Sequence, residues 1–219
     1  ALAFAIYRGK RRSEHLLLNI LPEQVAEELK DHGSAKAQKL ENVTVLFTDF
    51  KGFTEIAEQL SPEALVAEIH QCFSAFDAIM DKYGVEKIKT IGDAYMAAGG
   101  VPSPKNSHAL DVVGAALEIQ QFMLELAEEK KQKGEPYFEV RIGINSGPVV
   151  AGIVGTKKFQ YDIWGDTVNT ASRMESTGKV GKVNISESTY LLVKDDFNCE
   201  YRGEVEAKGK GKVKMYFVS

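Results

Sequence analysis

The chain has 219 residues, of which 44% are hydrophobic and 26% charged, a balance that excludes intrinsic disorder, collagen-like repeats and a disulfide-stapled miniprotein. With 27 Lys and Arg against 31 Asp and Glu the net charge is −4, which argues against a nucleic-acid partner held by its phosphates. The two cysteines, Cys72 and Cys199, lie far apart and build neither a zinc knuckle nor a disulfide framework, as suits a reducing compartment.

Ala1-Leu2-Ala3-Phe4-Ala5-Ile6 runs into Tyr7-Arg8-Gly9-Lys10-Arg11-Arg12, a hydrophobic tail followed by four basic residues in five. A transmembrane helix leaves the membrane on its cytoplasmic side in this way. The expectation is a fragment cut at the last turn of such a helix, with the remainder on the inner face of a membrane. A processed soluble N-terminus with an amphipathic first helix is the alternative. No stretch reaches the roughly 18 apolar residues that a complete span needs.

Leu18, Leu21, Val25 and Leu29 recur at helical spacing, and Pro22 divides that stripe in two. Residues 1–40 are thus read as a membrane-proximal helical connector and linker, packed on a partner or on the main domain. Asp31 to Glu41 is polar, with Gly33 and Ser34 as breakers. Val43 to Asp49 is rich in β-branched and aromatic residues and ends in a carboxylate, which predicts a strand. Gly52 to Tyr83 is helical, with a second start at Ser61-Pro62-Glu63, a Ser cap with Pro in the first turn. Val85 to Ile91 and Ala94 to Ala98 form a hairpin with Gly92-Asp93 in its turn.

A long helix is predicted from about Ser107 to Lys131, then a strand from Phe138 to Asn145 and a Gly-rich segment through Gly155. A helix near Asp166 to Glu175 and strands at 183–185, 197–202 and 213–218 complete the chain. The order strand, helix, hairpin, helix, strand is the split βαβ arrangement, so residues 41–219 are read as one α+β domain with a ferredoxin-like core.

In that order Asp49 and Asp93 sit on adjacent central strands. Two such carboxylates can hold Mg²⁺, which takes one or two of them together with waters and substrate phosphates. Asp49-Phe50-Lys51-Gly52-Phe53-Thr54 leads from strand to helix, so backbone N–H groups near Gly52 and Thr54 can face a polyphosphate. No Gly-Lys pair is followed by Ser or Thr, which removes a Walker loop, and His15, His32, His70 and His108 make no metal spacing. Trp164 and the Phe73, Phe76, Ile79, Tyr83 series are expected to be packing.

Four segments carry a family resemblance: Phe47-Thr48-Asp49-Phe50-Lys51-Gly52-Phe53-Thr54, Glu86 to Met96, Gly143-Ile144-Asn145-Ser146-Gly147-Pro148-Val149 and Tyr161 to Met174. Together, in order and over residues 41–219, they resemble the catalytic domain of class III nucleotide cyclases. The resemblance implies a head-to-tail homodimer with active sites between subunits. It implies Asp49, Asp93 and the Phe50 carbonyl as ligands of two Mg²⁺ or Mn²⁺ ions, which activate the ribose 3′-hydroxyl and neutralise the triphosphate. Gly52, Phe53 and Thr54, at that strand-to-helix turn, are the expected substrate-binding residues, and Lys208 matches a lysine on the terminal phosphates.

Lys89 and Asp162 match the pair that reads adenine: an ammonium donates to a ring nitrogen and a carboxylate accepts from the exocyclic amine. Guanine offers a carbonyl at that place, so ATP is expected over GTP. Asn169 and Arg173 match the residues that orient the ribose and stabilise α-phosphate charge, and their spacing of four puts them on one helix face. The expected activity is an adenylate cyclase making cyclic AMP and pyrophosphate. A guanylate cyclase, or a silent nucleotide-binding regulatory domain, is the alternative. No side chain is evident as the proton acceptor.

Overall fold

The computed structural model describes residue 14 and residues 16–155, 159–207 and 211–219. The basic N-terminal run and Lys208 lie outside the described residues. Six helices and eight strands are named in chain order: α1 (Glu23–His32), β1 (Gln38–Lys51), α2 (Phe53–Ala57), α3 (Pro62–Tyr83), β2 (Glu86–Ile91), β3 (Ala94–Gly99), α4 (His108–Lys133), β4 (Glu139–Val154), β5 (Gln160–Trp164), α5 (Asp166–Ser176), β6 (Val183–Ser186), α6 (Glu187–Val193), β7 (Cys199–Ala207) and β8 (Gly211–Val218). The strands form one sheet in the order β2-β3-β1-β4-β6-β8-β7, with β5 added to β4.

Strand β1 is central and apolar because both its faces are covered. Leu46 and Phe50 point into a core with α3, α4 and α6, whereas Val43, Val45 and Phe47 point into a second core with α1 and α5. The alternation puts Asp49 on the α5 side of the sheet. Strand β4 alternates likewise: Val140, Ile142 and Ile144 join the first core, leaving Arg141, Gly143 and Asn145 towards α5.

Several local signals act as the sequence suggests. Ser61 Oγ accepts from Ala64 N at 3.2 Å, Pro62 opens α3, and Gly84 closes it at φ +63°. Helix α1 starts directly after Pro22, and its buried Val25 and Ala26 pack on the domain. It runs to His32 and β1 begins at Gln38, so most of the polar 31–41 segment is structured.

The Gly-rich segment after Asn145 is not a loop. Strand β4 continues through it to Val154, and its second half pairs antiparallel with β5, Val150 opposite Trp164 and Val154 opposite Gln160. Glycines on both sides of Asn145 serve close approach: a Cβ on Gly147 would stand 2.6 Å from Thr167 Oγ1, and one on Gly143, within the expected strand, 1.8 Å from the backbone N of Glu175. Trp164 is 39% exposed rather than core, because it ends the outermost ribbon strand.

Candidate active site

The aspartate pair follows from register. β1 and β3 are antiparallel, with Thr48 opposite Tyr95, so Asp49 lies level with the start of β3 and the Gly92-Asp93 turn. Burial raises the Asp93 carboxyl above the usual carboxylate range, and the facing Asp49 carboxylate, within hydrogen-bonding reach, raises it further. Hydrogen bonds from its own N–H and that of Phe50 act the other way. Two like groups in contact call for a proton or a cation between them, so the donor set fits a hard divalent ion. Among the described residues no group of three or more His, Cys, Asp or Glu side chains is placed to hold a metal ion.

Phe50 is buried at the centre of an aromatic stack, with its ring 4.8 Å from Phe138 and 5.9 Å from Phe73, which holds the backbone beside Asp49 in place. Phe53 joins the same stack, 5.5 Å from Phe138, so its ring takes part in packing. Gly52, at φ +67°, makes the turn that a residue with a Cβ would strain. The helix that follows, α2, is a single short turn of five residues, and Thr54 is exposed at its start.

Two charged residues at the pair were not singled out from the sequence. Arg141 is the cross-strand partner of Asp49 in the β1–β4 register, and its Nη2 donates to Asp49 Oδ2 at 2.8 Å. Arg141 Nε lies 3.0 Å from Glu175 Oε1, on α5. Burial pushes the Glu175 carboxyl up to about 7, against the opposing pull of Arg141 and with a further push from Asp49 and Asp93. Neither residue belongs to a short motif read for chemistry, since only strand register and helix docking bring them together.

Helix α5 is amphipathic. Thr167, Thr170, Ala171, Met174 and Glu175 are buried against the sheet, while Asn169 and Arg173 are exposed on the opposite face. Asn145 Nδ2 donates to Thr167 O at 3.0 Å, and Asn184 Nδ2 to Met174 O at 2.7 Å, so both ends of the helix are tied to strands. Asn169 and Arg173 therefore share one face, as their spacing predicts, and that face turns away from the sheet carrying Asp49.

Lys89 and Asp162 are brought together from strands that are 73 residues apart in sequence, with Lys89 Nζ 2.5 Å from Asp162 Oδ2. The side chains are 26% and 14% exposed, which leaves an edge of each open. Asp162 Oδ1 accepts from Ile163 N at 2.8 Å, which fixes the carboxylate plane. Lys208, expected at the terminal phosphates, lies outside the described residues.

A family model of the adenylate and guanylate cyclase catalytic domain matches residues 35–219. The chain is 43% identical over 208 residues to an adenylate cyclase of Mycobacterium tuberculosis, covering 94% of this chain and 46% of the relative. It is also 43% identical over 210 residues to the guanylate cyclase soluble subunit beta-2 of Rattus norvegicus, covering 95% of this chain and 30% of the relative. The chain thus spans less than half the length of these curated relatives. Among solved structures, the adenylyl cyclase CyaB from P. aeruginosa superposes with a TM-score of 0.79 at 33% identity, covering 84% of this chain and 96% of that one. No helix among the described residues is long and apolar enough to cross a membrane.

Proposed function

The chain belongs to the adenylate and guanylate cyclase catalytic domain family, and from that premise we propose that it is an adenylate cyclase, converting ATP to 3′,5′-cyclic AMP and pyrophosphate as a homodimer. The observation that carries the choice of ATP is the Lys89–Asp162 pair, an ammonium and a carboxylate side by side, each with an open edge. Asp162 accepts from the adenine amino group and Lys89 donates to a ring nitrogen. A guanine carbonyl would meet the carboxylate oxygen instead, an acceptor facing an acceptor. Overall identity does not separate the two nucleotides, since the adenylate and guanylate cyclase relatives are equally close at 43%.

Asp49 and Asp93, with the Phe50 carbonyl, would hold the divalent ions, Mg²⁺ or Mn²⁺. When bound, these would lower the barrier to ribose 3′-hydroxyl attack on the α-phosphorus and offset triphosphate charge. The protein's own part is positional. Backbone N–H groups after Gly52 face the phosphates, with Lys208 on the terminal ones. Asn169 holds the ribose, and Arg173 presents a planar guanidinium to the charge that grows on the α-phosphate.

The dimer is supported by the exposure of Asn169 and Arg173 on the face of α5 turned away from Asp49, which leaves each chain with two half-sites. Membrane attachment through residues upstream of the connector is part of the same reading, and would place the domain at the cytoplasmic face. The test is incubation of the purified protein with ATP or GTP and Mg²⁺ or Mn²⁺. Cyclic AMP as the dominant product supports the proposal. Cyclic GMP as the main product would overturn the base assignment, and neither product would favour a silent regulatory domain.

A further inference from the structure

Arg141 and Glu175 adjoin the aspartate pair, yet neither has a task in the cyclisation proposed for the site. Stability is a weak reason for them, because a buried ion pair loses hydration that its own attraction seldom offsets. The contact is also unevenly made. Arg141 Nη2 donates a well-formed hydrogen bond to Asp49 Oδ2 at 2.8 Å. Arg141 Nε and Glu175 Oε1 face each other at 3.0 Å, both buried, and neither is in an aligned hydrogen bond. Buried polar atoms left in this condition call for an explanation.

We propose that Arg141 is the removable counter-ion of Asp49, and that Glu175 is the positioning residue that receives it when a divalent cation takes the aspartate. The inference rests on Asp49 being a metal ligand, as proposed above. A cation and a guanidinium on one carboxylate repel each other, so loading the site drives Nη2 off Asp49. Glu175 Oε1 has acceptor capacity free and lies beside Nε, so a small rotation lets the guanidinium complete its hydrogen bond there. Only a planar fork can serve both carboxylates in turn, which is why arginine rather than lysine suits the position.

The receiver cannot retreat. Helix α5 is pressed on β4 at Gly143, where a Cβ would stand 1.8 Å from Glu175 N, and Arg202 Nη1 donates to Thr177 O, at the helix C-cap two residues on, at 2.8 Å. The same helix bears Asn169 and Arg173, so the exchange registers metal loading on the element that carries those residues.

The experiment is Mn²⁺ binding without nucleotide, followed by electron paramagnetic resonance, in the parent, Arg141→Gln, Glu175→Gln and the double variant. Arg141→Gln should bind several-fold tighter and Glu175→Gln several-fold weaker. In the Arg141→Gln background, Glu175→Gln should change nothing, since the receiver then has nothing to receive. Equal weakening in both backgrounds would reduce Glu175 to a nearby negative charge and overturn the proposal, as would unchanged or weaker binding in Arg141→Gln. A second measurement needs no variant that must fold. In the ¹⁵N-labelled parent, the Arg141 Nε–H signal should shift and exchange more slowly as Mg²⁺ is added, and an unmoved signal at saturation would sink the idea. Parental Mn²⁺ affinity in Asp49→Ala would instead remove the metal-ligand reading itself, so the two failures are distinct.

Discussion

At the scale of single residues, hydrogen-bond polarity and burial decide most of what can be expected. Exchanging Lys89→Glu together with Asp162→Cys replaces a donor by an acceptor and removes a carboxylate, so the ratio of kcat/KM for ATP over GTP should fall by about tenfold or more. A folded, active double variant with the parental ratio would place base reading elsewhere. Asp49→Ala and Asp93→Ala each remove a carboxylate at a strand end without opening a core cavity, so cyclisation should be lost while melting changes little. Retention of most activity by either variant would take that aspartate out of the site. Glu86 supplies a pH test away from the site. Burial first, then Asp81, pushes its carboxyl up to about 7 from 4.5. The folded protein thus disfavours the ionised form, and the parent loses stability as pH rises from about 4.5 through 7. Glu86→Gln lacks that loss, so its melting temperature relative to the parent should climb between pH 5 and pH 8, and a pH-independent difference would contradict the cause given.

At the scale of elements, the docking of α5 on β4 is the feature on which the site depends. Gly143 gives way to the helix backbone itself: a Cβ there would stand 1.8 Å from Glu175 N and 2.4 Å from its Cα, atoms that no rotamer change can move. Gly143→Ala should therefore cost about 3 kcal/mol in urea denaturation, since overpacking against backbone shifts a whole element. Gly152→Ala, whose Cβ would meet Ala37 Cα at an ordinary 3.4 Å, is the control and should cost less than about 1 kcal/mol. Parental stability in Gly143→Ala would show that the approach is looser than described. From sequence the strand is expected to end at Asn145, with Gly143 inside it and a Gly-rich segment following through Gly155, whereas β4 runs on to Val154. Glycine frequency alone does not tell a turn from a strand against which a helix is pressed. Helix α6 escaped for a related reason: its seven residues follow β6 directly, and its one signal, a Ser186 cap 3.4 Å from Thr189 N, is shared with many turns.

At the scale of the whole molecule, the two faces of α5 predict a shared site that can be tested by mixing. Asp49→Ala and Arg173→Ala should each be inactive alone. Together they form heterodimers in which one site carries both lesions and the other neither. With equal amounts and free exchange, about half the dimers are mixed, so about a quarter of the parental activity should return. Asp49→Ala mixed with Asp93→Ala should restore nothing, because both lesions lie on the same half-site. Recovery in that second mixture, or none in the first despite proven exchange, would mean that the residues are divided between subunits differently. Activity per chain should also fall on dilution below the dimer dissociation constant.

The sequence by itself determined the fold class, the family, the hairpin that carries Asp93, the Ser61 cap of α3, and the shared face of Asn169 and Arg173. The hairpin, the cap and the shared face depend on residues near one another in the chain, where periodicity and turn chemistry follow directly from backbone geometry, and the fold class and family depend on the order of such local segments. Only the tertiary structure decided that Lys89 meets Asp162, that Phe53 joins an aromatic stack, that Trp164 faces solvent, and that Arg141 and Glu175 adjoin the aspartates. Those contacts are set by strand register and by the close approach of a helix to glycines, and neither leaves a local pattern. Register fixes partners 92 residues apart, as for Arg141 and Asp49, through the sum of packing on both faces of the sheet rather than through either residue's neighbours.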